Sequence, residues 1–121
     1  MNQLYRSKNE AAAKVVVEDW GRLNWLAGRA VGNCEHLTLG RAMIKKGRSN
    51  PKHRHANCDE VLYLLQGKLE HIVGEQMLIM EAGDTCVVPA GVLHVARSIG
   101  EEDADIIVAY SAGDRQYQEE K

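Results

Sequence analysis

The chain has 121 residues, 45% apolar and 26% charged, with a formal charge of -2. That is enough for one domain around one core, and the charge gives no electrostatic ground for a nucleic-acid or membrane partner. No apolar run approaches the ~20 residues that span a bilayer. The opening 14 residues also lack the apolar stretch of a secretory signal, so a cytoplasmic protein with a small-molecule ligand is expected.

Taken in chain order, Ser7-x-x-Glu10 before Ala11, Ala12 and Ala13 has the form of a capping box opening a short helix. A frayed or strand-swapped arm fits residues 1–14 as well. From Val15 the pattern becomes β. Residues 15–17 and 23–26 are short apolar runs separated by Gly21, and Gly28, Gly32 and Asn33 mark turns. Residues 37–45 read as a strand, ended by Gly47, Ser49, Asn50 and Pro51. Residues 61–65 are apolar on both faces, as expected of a strand buried on both sides. Further strands are predicted at 68–73, 77–80, 85–88, 94–98 and 104–110, with turns at Gly67, Gly74, Gly83 and Gly91 between them. Residues 113–121 read as a loose polar tail, and 15–112 as the domain proper. About eight to ten short strands predict an all-β sandwich or jelly-roll barrel.

Four residues carry the chemistry: His53, His55, Glu60 and His94. Three imidazoles and one carboxylate suffice to hold one divalent transition metal, with positions left open for substrate. Residues i and i+2 of a strand share a face, so His53 and His55 reach the same point. Glu60 lies at an odd offset from His55, which requires a bend between them, and Asn57 and Asp59 suit one. Cys34, Cys58 and Cys86 are an odd number with no CxxC pair and read as free thiols. Cys58, between His55 and Glu60, is either an inert buried thiol or a thiolate near the metal.

The frame of these residues reads Gly47-x5-His53-x-His55-x4-Glu60-x6-Gly67, then Gly83-x5-Pro89-x-Gly91-x2-His94. It resembles the two motifs of the cupin superfamily, departing only at the last position of the second, where Ser98 replaces the usual Asn. The resemblance covers about residues 37–110. It implies a single-domain cupin jelly-roll β-barrel, with His53, His55, Glu60 and His94 as metal ligands. The donor set suits Fe, Mn, Ni, Co or Zn without choosing among them.

Strand parity adds a fifth residue. If Gln66-Gly67 is a two-residue hairpin turn, Leu62 pairs with His71 and Glu60 with Val73. His71 then faces inward, about two positions from the ligand row, as a proton carrier or substrate contact. Ala96 and Ser98 face inward with His94, and Arg97 outward. Val61, Tyr63 and Leu65 face the other way, to be covered by a second sheet or by a subunit partner, which makes a homodimer the expected assembly. Trp20, Trp25, Met77 and Met80 are expected in the core or an interface. Arg41 is either a solvated strand charge or a contact for an anionic substrate.

Two functional classes follow. One is a metal-dependent dioxygenase or isomerase/lyase acting on a hydroxy-carbonyl, enediol, sugar or carboxylate, with Glu60 and His71 as catalytic groups. The other is a non-catalytic metal-dependent barrel for binding or sensing a small molecule. A merely structural barrel is disfavoured, because clustered buried imidazoles without a metal cost stability.

Overall fold

The computed structural model describes residues 4–120. One short helix, α1 (Lys8–Ala12), precedes eleven strands: β1 (Val16–Glu18), β2 (Gly21–Ala27), β3 (Thr38–Ile44), β4 (His53–Arg54), β5 (Glu60–Gln66), β6 (Lys68–Val73), β7 (Gln76–Glu81), β8 (Thr85–Val88), β9 (His94–Ser98), β10 (Ala104–Tyr110) and β11 (Gln118–Glu119). The strands form two antiparallel sheets, ordered β1-β2-β3-β10-β5-β8 and β11-β4-β9-β6-β7. This is the all-β jelly-roll barrel expected. The capping box also forms: Ser7 Oγ accepts from Glu10 N, and Glu10 reaches back to Ser7 N.

Inward positions alternate along the strands and meet in one core. Ala42 and Ile44 of β3, Leu62 and Leu64 of β5, Leu69 of β6, Val88 of β8, and Ile106 and Val108 of β10 are buried together. Burying a Leu or Ile side chain contributes on the order of 1.5–3 kcal/mol, so this two-sheet core is the main stabilising element.

The expected hairpin at Gln66-Gly67 is absent. β5 pairs with β10 and β8 in one sheet, while β6 pairs with β7 and β9 in the other. Gly67 (φ +94°) turns the corner between sheets, and a Cβ there would stand 2.9 Å from Ala104 Cα. Sequence cannot distinguish a corner from a hairpin, since both are strand–turn–strand. The inward parity survives the corner, so Leu62, Leu64, Leu69 and His71 are all buried. The two-residue hairpin turn falls instead at Gly74-Glu75, between Val73 and its partner Gln76.

Two further expectations are corrected. β5 is buried on one face only, and Val61, Tyr63 and Leu65 remain about 40% exposed because the second sheet packs on the opposite face. Nor is the C-terminal segment loose. β11 pairs with β4 (Gln118 with Arg54, Glu119 with His53), and Glu120 N donates to Lys52 O. No helix among the described residues is long and apolar enough to cross a membrane.

Candidate metal centre

Three elements bring the four donors together. β4 and β9 pair directly, with His53 opposite His94. His55 follows β4, just before a turn at Ala56 and Asn57, and Gly91 N donates to its carbonyl at 2.9 Å. The turn supplies the bend that Glu60 requires. Asp59 fixes it by accepting from Ala90 N at 2.9 Å, and its own N–H donates to Ser111 Oγ at 2.9 Å. Glu60 then opens β5 on the inward face, between Val88 of β8 and Tyr110 of β10.

All four residues are buried, and one donor atom from each lies within 4.8 Å of the others. Each imidazole is fixed from behind. Nδ1–H of His53 donates to Pro51 O at 2.6 Å, that of His55 to Gln116 O at 2.8 Å, and that of His94 to Val92 O at 2.9 Å. A carbonyl can only accept, so the proton sits on Nδ1 and the Nε2 lone pair faces the centre. Anchoring of this kind is how metal-ligating imidazoles are held.

The arrangement is self-repelling without a cation. His94 Nε2 lies 3.0 Å from Glu60 Oε1, and His55 Nε2 lies 3.2 Å from the same oxygen without a hydrogen bond of good geometry. Lone pairs facing a carboxylate require a proton or a metal between them. Burial acts to raise Glu60, but His55 and His94 facing it outweigh that and hold its carboxyl well below the usual range. Burial acts to lower His94, yet the hydrogen bond and charge of Glu60 raise it. Burial lowers His53 to about 4. The donor set fits one divalent transition metal.

His71 is fully buried on β6, opposite Ala96 of β9 and Leu78 of β7, with its ring centroid 6.0 Å from that of His94. It lines the cavity, and neither ring nitrogen has a hydrogen-bond partner among the described residues. Burial lowers it to about 4, so it is a neutral imidazole with one donor and one acceptor unspent. The cavity is about 470 Å³ and reaches from this ring past His53, Glu60 and His94 to Trp20, Trp25 and Tyr117.

Other candidates separate cleanly. Ala96 and Ser98 are buried inward and Arg97 is exposed, in line with the parity. Arg41 points outward and forms a two-pronged pair with Asp105, so it takes no part in the cavity. Cys58 belongs to the core, where burial raises its thiol, and it is not among the converging donors. Trp20 and Trp25 line the cavity, beyond the core role expected of them; Met80 is buried and Met77 exposed.

Sequence reading missed Tyr110, Arg115 and Tyr117. Tyr110 flanks Glu60 and packs edge-on to His55, with ring centroids 4.8 Å apart. Tyr117 lies against His53 at 4.9 Å. The C-terminal segment is clasped by Asn57, which donates to Asp114 O at 3.0 Å and accepts from Gln116 N at 2.9 Å. The one available signal was Tyr117, a lone aromatic in a polar stretch.

The cupin-domain family profile matches residues 40–110. A putative germin-like protein 3-4 of Oryza sativa subsp. japonica is 26% identical over 104 residues, covering 79% of this chain and 42% of that protein. Oxalate oxidase 1 of Hordeum vulgare is 24% identical over 110 residues, covering 84% of this chain and 50% of that one. The chain thus spans half or less of these relatives. A solved structure of Bacillus subtilis oxalate decarboxylase, a protein with Mn(II) centres, has a TM-score of 0.82 over 91% of this chain and 31% of that one, at 16% identity. At that identity the likeness is one of fold.

Proposed function

The chain belongs to the cupin domain family, and on that premise we propose that it is a metal-dependent enzyme acting on a small oxygenated molecule by dioxygenation or by isomerase/lyase chemistry. His53, His55, Glu60 and His94 are the ligands. The observation that carries the reading is the set of three Nδ1–H anchors, which leave three Nε2 lone pairs aimed at one buried carboxylate. Ligand type leaves the metal open among Fe, Mn, Ni, Co and Zn. When bound, the metal would supply Lewis-acid polarisation and, for a redox-active ion, access to O2.

The chain's own residues supply the rest. Leu62, Ile106 and Val108 wall the cavity and exclude water, while Ala96 leaves room for the substrate. His71 presents an unspent donor and acceptor to whatever occupies the cavity, which suits it to hold or move a substrate proton. Glu60 is the second catalytic group, its negative charge kept in place beside Tyr110. Two of the similar proteins are named for oxalate, which makes oxalate the first molecule to try.

The exposed row Leu39, Val61 and Val87, together with Tyr63, forms an apolar face on the outside of the six-stranded sheet. A second copy of the chain would cover it, giving a homodimer. Sedimentation of the wild type and of Val61→Glu tests this: the wild type should run as a dimer and the variant as a monomer.

The test of the catalytic reading is elemental analysis of protein purified without added metal, joined to an oxygen-electrode and product screen over oxalate, enediols, 2-oxo acids and catechols. Iron or manganese with O2 uptake supports dioxygenation. Zinc with redox-neutral turnover supports the isomerase/lyase branch. Tight ligand binding with no turnover on any class would leave a binding barrel instead.

A further inference from the structure

Arg115 is a cation at a site already built to hold one. Its Cζ lies 4.3 Å from the Trp25 ring centroid, 5.1 Å from that of Tyr110 and 5.6 Å from that of Tyr117. It lines the cavity and is half-buried. Among the described residues no carboxylate pairs with it, although Glu18 and Glu119 stand on the same cavity wall. Those two are exposed and screened, and Glu119 is engaged by the Tyr117 hydroxyl at 3.1 Å. Among the described residues, the polar contact of the Arg115 side chain is with His55 Nδ1, 3.3 Å from Nη1. That nitrogen has its proton committed to Gln116 O at 2.8 Å, so it offers no lone pair to accept with. The guanidinium therefore keeps a set of N–H donors with no acceptor among the described residues.

The charge count points the same way. Three neutral imidazoles and one carboxylate around a dication leave a net positive site, and Arg115 adds to it. An additional cation weakens metal binding, so its placement calls for a compensating anion that is not part of the chain. Stacking on Trp25 fixes the plane of the fork before any ligand arrives, which lowers the ordering cost of a two-pronged hydrogen bond.

We propose that Arg115 is the specificity-determining residue of the site, held on Trp25 to take a carboxylate that the substrate carries beyond its metal-chelating end. The substrate class is then a small dicarboxylate whose one end is a 2-oxo or 2-hydroxy acid. The inference rests on the metal-centre reading above and narrows it.

Isothermal titration of the full chain loaded with Zn(II) tests it, with a matched pair of probes. 2-Oxoglutarate and 2-oxovalerate share a chelating head and a five-carbon chain, and differ in the remote carboxylate. The wild type should bind 2-oxoglutarate tighter by roughly tenfold to hundredfold, the range of a charge-assisted hydrogen bond. Arg115→Gln should lose that preference while keeping its affinity for 2-oxovalerate and its zinc content. Arg115→Lys, which keeps charge without the fork, should retain part of the preference. Equal binding of the two probes by the wild type, or a preference surviving in Arg115→Gln, would overturn the role of Arg115 while leaving the metal centre standing. Zinc lost from both Arg115 variants would overturn it in favour of a structural role. A wild type that takes up no zinc would overturn the metal-centre reading itself, and the inference with it.

Discussion

His94 Nε2 stands 3.0 Å from Glu60 Oε1 while the same ring gives its Nδ1–H to the Val92 carbonyl. The pair calls for a proton or a metal ion between the two atoms. Glu60→Gln removes the charge and keeps the shape, and the new amide can donate to His94 Nε2 directly. The variant should fold with unchanged circular dichroism but bind Zn(II) or Mn(II) at least ~100-fold more weakly, since loss of even an outer contact to a ligand costs 10–100-fold. Wild-type affinity in Glu60→Gln would remove the carboxylate from the ligand set.

The buried imidazoles set the pH dependence. Burial holds His53 and His71 at about 4 in the folded protein, below the reference value of about 6.5. The unfolded chain therefore takes up these protons first, and stability falls as pH drops from about 6.5 to about 4. His94, raised by Glu60, has the opposite sign. Its contribution is full below about 6.5 and is lost as pH rises through its folded value, so it adds a constant increment across the acid range and leaves the slope there unchanged. In metal-loaded protein, protons also displace the ion across that range. Melting temperature should thus drop more steeply below pH 6.5 with metal than after chelation, and metal content should fall alongside. Parallel curves for the two forms would contradict this.

His71 separates stability from function. His71 stands in an otherwise apolar stretch of cavity wall with no protein partner for either nitrogen among the described residues, an arrangement that costs stability. His71→Leu, similar in volume, should raise the melting temperature and leave metal content unchanged. Turnover should fall by about 10²–10⁴, the scale of a general acid–base group. An active His71→Leu would reduce this residue to packing.

The clasp by Asn57 sets the position of Gln116, whose carbonyl orients His55. Asn57→Ala should loosen residues 114–119 and weaken metal binding by roughly tenfold through His55. Hydrogen exchange at Gln116 N and Glu120 N should quicken in the same variant. Unchanged exchange and affinity would show the clasp to be redundant.

The four converging donors were legible because the spacing of His53, His55, Glu60 and His94 is imposed by local geometry: strand parity, one bend and one later strand. The inward side of His71 was legible for the same reason, even though the pairing used to reach it was wrong. Parity is a property of one strand, whereas the choice between hairpin and sheet corner at Gly67 depends on what lies across the barrel. The C-terminal segment was illegible for a related reason. Gln118–Glu119 is a two-residue polar strand that makes sense only against β4, and Arg115 acquires its role from Trp25, ninety residues away along the chain. The exposure of Val61, Tyr63 and Leu65 was likewise hidden, since their apolar character says that a face is to be covered and not by what.

The central claim is that these four side chains close on one ion. A crystal of protein loaded with Mn(II) or Zn(II), measured at the metal's absorption edge, tests it most directly. The expected result is a single anomalous peak per chain, about 2.0–2.3 Å from Nε2 of His53, His55 and His94 and from a carboxylate oxygen of Glu60. A fully occupied peak elsewhere, or one with any of the four outside its coordination sphere, would contradict it.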